Sequence, residues 1–133
     1  MATLTPTLTL SSSDAFTHQN ISISVTDNLT VEAPFTDVSR FDTGDNIGNG
    51  AGIIIPNGHS KDTYVYVRHT GLDQDGSTAS TNLVTLSDAN ASNSHMRLGA
   101  GEFAFFCVFA GDGLKAVSAT QDVLLEFAFF TKT

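Results

Sequence analysis

The stretch that decides the fold is Met96-Arg-Leu-Gly-Ala-Gly-Glu-Phe-Ala-Phe-Phe-Cys-Val-Phe-Ala110, followed by the turn Gly111-Asp112-Gly113. Seven of the ten phenylalanines lie between Phe103 and Phe130, in two strand-length runs. A run that is apolar on both faces predicts either a central strand covered on both sides or a strand whose second face contacts another subunit. This stretch indicates packing strongly, and no segment of the chain indicates catalysis with comparable strength.

The composition of the whole chain supports a β-protein. Threonine, serine, asparagine, aspartate and glycine are abundant, while lysine, arginine and glutamate, the usual residues of helix surfaces, are scarce. Turn signals recur roughly every 8–12 residues, and no segment has a convincing helical period. The 133 residues therefore predict an all-β, single-domain antiparallel β-sandwich that is jelly-roll-like.

The N-terminal segment predicts an arm. From Thr3 to Leu10 the residues alternate, with Leu4, Leu8 and Leu10 on one side and threonines on the other. Pro6 cannot donate a ladder hydrogen bond, so this segment is an edge strand or an arm that reaches a neighbouring subunit. We expect residues 1–12 to form this arm or edge strand and residues 13–133 to form the β-sandwich domain.

The next two strands predict a hairpin. Ile21, Ile23 and Val25 alternate with polar residues, which predicts that they point inward. A two-residue turn at 27–28 would place a polar residue opposite Leu29. We therefore expect the three-residue loop 26–28, which pairs Val25 with Leu29 and keeps both on one face.

Charge and cysteine content exclude several classes of function. Six basic residues stand against fourteen acidic ones, a net charge of -8, which argues against binding to nucleic acid or to an anionic membrane surface. The single cysteine, Cys107, excludes an intrachain disulfide, and its apolar neighbours predict a packing role. Neither a signal peptide nor an apolar stretch of about 20 residues is visible. We expect a soluble protein made in a reducing cytoplasm.

Possible metal and catalytic residues have simpler interpretations. Two groups could offer oxygen ligands to calcium, Asp42 with Asp45 and Asn46, and Asp73 with Asp75, but neither fits a calcium loop and both are typical of turns. The histidines lack the close spacing of a zinc site and are expected on the surface or on a strand face. They are His18, His59, His69 and His95.

The carboxylates offer little more for catalysis. Glu102 and Glu126 could form a glycosidase-type pair, but the absence of tryptophan makes a sugar platform poor, and solvent-facing strand positions explain both residues. We predict no catalytic residue, no metal and no cofactor.

One strand carries a candidate binding stripe. Tyr64, Tyr66 and Arg68 share one face of the strand that begins at Thr63, and Val65 shares the other face with Val67. Tyrosine and arginine are common anchors of protein interfaces, but half-buried packing on a sheet explains them equally well. Both interpretations stay open.

Four segments resemble small virion structural proteins of tailed bacteriophages, in pattern and in order, over about the second half of the chain. They are Thr63-Tyr-Val-Tyr-Val-Arg-His69, Met96-Arg-Leu-Gly-Ala-Gly-Glu-Phe-Ala-Phe-Phe106, Leu114-Lys-Ala-Val-Ser118 and Val123-Leu-Leu-Glu-Phe-Ala-Phe-Phe130. In the family pattern, proline and tryptophan often follow the double phenylalanine, where Cys107-Val-Phe109 stands here.

This resemblance implies a non-enzymatic β-sandwich that decorates or cements a capsid, or that belongs to the tail, neck or fibre. The expected partners are other virion proteins, above all the major capsid protein, with the chain itself a homo-oligomer, most plausibly a trimer. The expected location is the virion, assembled in the host cytoplasm. A carbohydrate-binding or hydrolytic β-sandwich remains a third interpretation. The candidate interface residues are Leu4, Leu8, Leu10, Tyr64, Tyr66, Arg68, Phe103 and Phe105.

Overall fold

The structure is a computed structural model. It describes residues 1–14, 20–36, 39–42, 52–90, 92–118 and 123–133, and at 35 and 39–42 the backbone alone. Within these ranges every regular element is a β-strand, and none of these residues belongs to a helix with the length and hydrophobicity to cross a bilayer. The predicted all-β class is confirmed.

Twelve strands occur in the described part of the chain. They are β1 Ala2–Leu4, β2 Thr7–Ser12, β3 Ile21–Thr26, β4 Leu29–Phe35, β5 Ser39–Asp42, β6 Ile53–Ile55, β7 Thr63–Asp73, β8 Val84–Ser87, β9 Ser94–Leu98, β10 Phe103–Val108, β11 Leu114–Ser118 and β12 Val123–Lys132.

The strand order is that of a jelly roll. One sheet has the order β1-β4-β12-β7-β10, with β5 pairing with β12 after β4 ends, and a second sheet has the order β6-β11-β8-β9. If β4 and β5 are counted as one strand, the eight strands from β4 onward form two four-stranded sheets, β4-β12-β7-β10 and β6-β11-β8-β9. This is the order that two Greek keys produce in a jelly roll, and all the pairings are antiparallel.

The two sheets pack face to face over one apolar core. Alternate residues of β7, including Val65 and Val67, are fully buried and pack in a cluster with Leu125 of β12. The opposite sheet contributes Leu86 and Leu114, which are also fully buried. Because side chains alternate along a strand, burial of one set in the core turns the intervening set toward the other side of the sheet.

The two phenylalanine-rich strands have different environments. β12 lies between β4 and β7, so it is the central strand that an apolar run predicts. β10 ends its sheet, and among the described strands only β7 pairs with it. Phe103 is 63% exposed and Phe105 is 40% exposed. A central position for β10 is therefore wrong, and its second face is only partly covered within the described chain.

The N-terminal segment forms one side of a long ribbon. β1 pairs with β4 at the edge of the first sheet, and β2 pairs with β3 in a separate two-stranded sheet. Both pairings keep the same register, so the ribbon continues through a bend where the Asp27 N–H donates to the Pro6 carbonyl at 3.1 Å. We call the β2–β3 part, residues 7–12 and 21–26, the arm. The predicted division of the chain at residue 12 stays a prediction; β2 ends there.

The expected hairpin between β3 and β4 is wrong. Val25 pairs with Leu8 of β2, whereas Leu29 pairs with Leu4 of β1. The expected inward direction of the β3 residues is also wrong, since Val25 is 57% exposed and Ile23 is 46% exposed. The reason is that the N-terminal strands offer β3 and β4 separate partners, so the chain passes from the arm into the sheet without reversing.

Candidate functional site

The outer face of the first sheet, turned away from the core, brings most of the predicted interface residues together. Residues directly opposite each other on paired strands lie on the same face. The register therefore aligns three rows across β10, β7 and β12. The rows are Phe103–Arg68–Glu126, Phe105–Tyr66–Ala128 and Cys107–Tyr64–Phe130.

Two aromatic rings stack within this face. The ring centroids of Tyr64 and Phe105 are 6.0 Å apart, and their planes differ by 12°. The two residues are diagonal neighbours, because Tyr64 is directly opposite Cys107 and Phe105 is opposite Tyr66. An offset stack of this kind stabilises the arrangement of the rings beyond simple area burial. It presents a preformed aromatic surface on the partly exposed side of the sheet.

A hydrogen bond joins the two polar residues in the middle of the face. The Tyr66 hydroxyl donates to Glu126 Oε1 at 2.9 Å. Burial raises the pKa of Tyr66 above its ordinary value, and the hydrogen bond to Glu126 and the negative charge of that carboxylate raise it further, while Arg68 acts in the opposite direction. The tyrosine therefore stays a protonated donor at neutral pH, and the carboxylate is held in place beside the exposed Arg68.

The arm has one apolar face and one hydroxyl-rich face. Leu8 lies opposite Val25, and Leu10 lies opposite Ile23. These four side chains are between 46% and 57% exposed. Threonines and serines occupy the other face, where the hydroxyl groups of Thr7 and Thr26 are 3.0 Å apart.

A groove of about 440 Å³ separates the base of the arm from the outer face. The arm contributes Leu8 and Val25 to its lining, and the outer face contributes Tyr64, Phe105 and Cys107. Burial raises the pKa of the Cys107 thiol, and Asp62 raises it further. A thiol with a raised pKa is a poor nucleophile, so Cys107 serves this groove as an apolar wall.

The predicted interface residues are thus distributed over two adjoining surfaces. Tyr64, Tyr66, Arg68, Phe103 and Phe105 share the outer face. The three leucines lie along the N-terminal ribbon: Leu8 at the groove, Leu10 farther out on the arm, and Leu4 at the sheet edge opposite Leu29.

Sequence reasoning missed three residues of these surfaces. The sequence suggests for Glu126 either half of a carboxylate pair or a solvent-facing strand position, and the structure shows that it accepts a hydrogen bond from Tyr66. Ile23 and Val25 were expected inside. The equal alternation of β2 and β3, with the same neutral composition, was the signal that the two strands could pair with each other.

The acidic turn residues behave as turn residues. Asp75 accepts hydrogen bonds from the backbone N–H groups of Ser77 and Thr78 and from the Thr78 hydroxyl. These bonds lower the pKa of Asp75, with the side-chain bond from Thr78 as the largest cause. Asp45 and Asn46 lie outside the described residues, as does the side chain of Asp42. In the described ranges, no group of three or more histidine, cysteine, aspartate or glutamate residues could hold a metal ion.

The candidate acid–base residues have local structural partners. Glu102 Oε2 accepts the Gly99 N–H at 2.6 Å and so closes the turn before β10. His69, expected at the surface or on a strand face, is fully buried. Its Nδ1 accepts the Gly71 N–H at 2.9 Å, which leaves Nε2 to donate to the Asn82 carbonyl at 2.9 Å. His18 lies outside the described residues.

Comparisons with known protein families, with curated proteins and with solved structures find no match to this chain. What the two surfaces can bind must therefore be inferred from their own residues.

Proposed function

We propose that this chain is a non-enzymatic structural protein of a tailed-phage virion, and that it serves as a capsid decoration or cement subunit. The observation that carries this proposal is the partly exposed outer face, where Phe103 and Phe105 lie beside Tyr64, Tyr66 and Arg68. A contiguous apolar and aromatic patch on a soluble domain marks a site of protein–protein contact. The pattern and order of the four segments that resemble virion proteins support the same assignment.

The energetics favour assembly through this face. Each phenylalanine that passes from water into a well-packed contact contributes about 1.5–3 kcal/mol. Tyrosine and arginine are the residues that most often dominate the binding energy of an interface. The hydrogen bond from Tyr66 to Glu126 holds two polar groups in a fixed position within an apolar surface. Such a fixed polar pair can orient a binding partner and needs no catalytic role.

The proposed partners are other virion proteins, with the major capsid protein as the main one. Copies of the chain associate with each other as well, most simply as a trimer, so that a small subunit spans several shell proteins. The proposed location is the virion, assembled in the host cytoplasm. The charge of -8 directs binding toward neutral or basic protein surfaces rather than toward nucleic acid or membrane.

A tail, neck or fibre component is the main alternative, since it would use the same surface on a different partner. A carbohydrate-binding β-sandwich is a weaker one. It is favoured by the stacked Tyr64 and Phe105 rings, which share the outer face with the Glu126 carboxylate, because aromatic and carboxylate groups together can hold a sugar. Lectins are among the proteins that use the jelly roll.

The copy number in purified particles tests the proposal and separates these alternatives. A shell subunit is expected in the hundreds per particle, whereas a tail or neck component is expected in roughly six to twelve copies because of the symmetry of those assemblies. Quantitative mass spectrometry against the major capsid protein gives this ratio. Absence of the chain from particles, together with binding to a glycan array, would favour the sugar interpretation instead.

A variant tests whether the outer face is the surface that binds the particle. Phe103→Asp places a charge at the most exposed ring of β10, where the sandwich tolerates it because the side chain is 63% exposed. Binding to shells is expected to fall by roughly 100-fold, since the interface would bury a charge. The matched control is Ser94→Asp on the exposed β9 strand of the other sheet, which is expected to bind as the unchanged chain does.

A further inference from the structure

The arm has the form of a segment that packs against something outside its own subunit. It is a two-stranded ribbon whose strands, among the described residues, pair only with each other, and an isolated ribbon of this size is marginally stable in water. Each strand has six residues and spans roughly 20 Å. The groove includes Leu8 and Val25 at the base of the arm, while Leu10 and Ile23 lie beyond it.

Charge identifies the partner that this surface suits. Neither strand of the arm contains a charged residue, and neither does β10, although the chain as a whole carries a net charge of -8. Two copies that met elsewhere would bring like charges together, which costs free energy. Two copies that meet through β2, β3 and β10 reduce this repulsion, since the carboxylates nearest to the arm in the chain are Asp14 after β2 and Asp27 at the bend. A basic partner would find no countercharge on either element.

The groove offers a receptor for the distal part of an arm. Its lining is mainly apolar, with Asp27 as the charged residue at the bend and Phe105 and Cys107 along the outer face. Its volume of about 440 Å³ would also suit a small molecule, but such sites present several convergent polar groups for orientation. Aliphatic side chains such as Leu10 and Ile23 match this lining better.

We infer that the arm of one copy lies across the outer face of a second copy, with Leu10 and Ile23 packed against the groove beside Phe105 and Cys107. This inference rests on the proposed function as a self-associating structural subunit and names the segment and the surface that join the copies. Each copy carries both the arm and the receptor groove, and the two surfaces differ. A head-to-tail arrangement satisfies every arm in a closed ring such as the proposed trimer, and a reciprocal exchange of arms satisfies both arms of a dimer.

Sedimentation of the full chain tests the contact in solution. Leu10→Asp should weaken self-association by roughly 100-fold, because the charge would be buried in an apolar groove. The matched control is Thr9→Asp, which adds the same charge to the adjacent residue on the hydroxyl-rich face and should leave association nearly unchanged. Equal weakening by both variants, or by neither, would overturn the inference.

Cross-linking between differently tagged copies locates the contact. Cys107 is the only cysteine, so a Leu10→Cys, Cys107→Ser chain can be mixed with unchanged chain and treated with a short bismaleimide. We expect a heterodimer that joins position 10 of one copy to Cys107 of the other. A Thr9→Cys, Cys107→Ser chain should give several-fold less product. Absence of the heterodimer at concentrations where sedimentation detects oligomers, and under conditions where a monofunctional maleimide labels Cys107, would contradict the proposed contact.

The inference and the proposed function fail in different ways. An unchanged chain that stays monomeric but binds shells of the major capsid protein would overturn the arm contact and leave the virion role intact. An arm-linked oligomer that binds no shell and occurs in no particle would support the arm contact and remove the virion role.

Discussion

At the scale of single residues, the direction of a side chain on its strand decides what it does. Tyr64, Tyr66 and Arg68 alternate with Val65 and Val67 on β7, and only the valines are fully buried. The same two-residue period aligns Phe103 and Phe105 with the polar set. A residue with an aromatic side chain can therefore belong either to the core or to the candidate assembly surface, depending on the face of the strand on which its position places it.

Two phenylalanine variants test this distinction. Phe127 packs against the core cluster, so Phe127→Asp should lower the free energy of unfolding by more than about 4 kcal/mol. Phe105 is 40% exposed on the outer face, so Phe105→Asp should cost only about 1 kcal/mol through loss of its stacking with Tyr64 while it abolishes assembly. Urea denaturation and sedimentation measure the two effects. Comparable destabilisation by both variants would place Phe105 in the core.

The hydrogen bond of Tyr66 predicts a dependence on alkaline pH. Because the folded-state pKa of Tyr66 is raised above its ordinary value of 10.0, the folded state holds this proton more tightly than the unfolded state does. The corresponding stability is present below pH 10 and is lost as the pH rises through the folded pKa. Tyr66→Phe should remove this part of the alkaline loss of stability.

Phenolate absorbance provides the measurement. Subtracting the titration of the Tyr66→Phe variant from that of the unchanged chain isolates Tyr66, because Tyr64 is the only other tyrosine. A midpoint at or below the ordinary value would contradict the geometry of the bond between Tyr66 and Glu126. Glu126→Gln keeps an acceptor but removes the negative charge, so it should bring the midpoint downward.

At the scale of elements, the arm is separable from the sandwich. Its two ends approach each other where the Asp27 N–H donates to the Pro6 carbonyl, and its apolar side chains are outside the core cluster. The arm therefore contributes little to the stability of the sandwich. The first sheet retains β1 at its edge when the arm is absent, because β1 pairs with β4.

Excision of the arm tests this independence. Replacing residues 7–26 by Asn-Gly, a turn that favours two-residue hairpins, should join Pro6 to Asp27 and leave β1 paired with β4. We expect a melting temperature within a few degrees of that of the full chain and the loss of self-association. Differential scanning calorimetry and sedimentation provide the two readouts. A chain that unfolds after this replacement would show that the arm belongs to the folding unit.

The two phenylalanine-rich strands, β10 and β12, differ in how many of their edges are paired. β12 uses both of its edges, with β7 on one side and β4 or β5 on the other. β10 has a described partner on one side only. An exposed edge with an apolar face tends to associate with other chains unless it is protected. The inferred arm of a neighbouring copy would cover the apolar face beside this edge.

At the scale of the whole molecule, the two sheets of the jelly roll share the core but differ in their outer faces. Together they enclose the core, while the outer face of the β1-β4-β12-β7-β10 sheet is the one that carries the stacked rings and the groove. The net charge of -8 keeps separate copies apart except where neutral segments meet. In the proposed assembly, the fold, the charge and the arm would favour ordered contacts over unspecific aggregation.

Much of this architecture follows from local patterns. The alternation of Val65 and Val67 with the tyrosines predicts that the two sets lie on opposite faces of β7, and the valine face is the one in the core. The turn chemistry of Asp75 is likewise local, since its partners are two and three residues away. Such features depend on the two-residue period of a strand and on short-range hydrogen bonds, which a sequence displays directly.

The amino-acid sequence by itself determined the all-β class, which side chains of a strand share a face, and the grouping of Tyr64, Tyr66 and Arg68. Only the tertiary structure decided that Val25 pairs with Leu8 instead of Leu29 and that β10 lies at an edge. The physical reason is that alternation specifies the face on which a side chain lies but not which strand is its neighbour. Pairing is selected by contacts between distant parts of the chain, and equally patterned strands such as β1, β2, β3 and β4 compete for it.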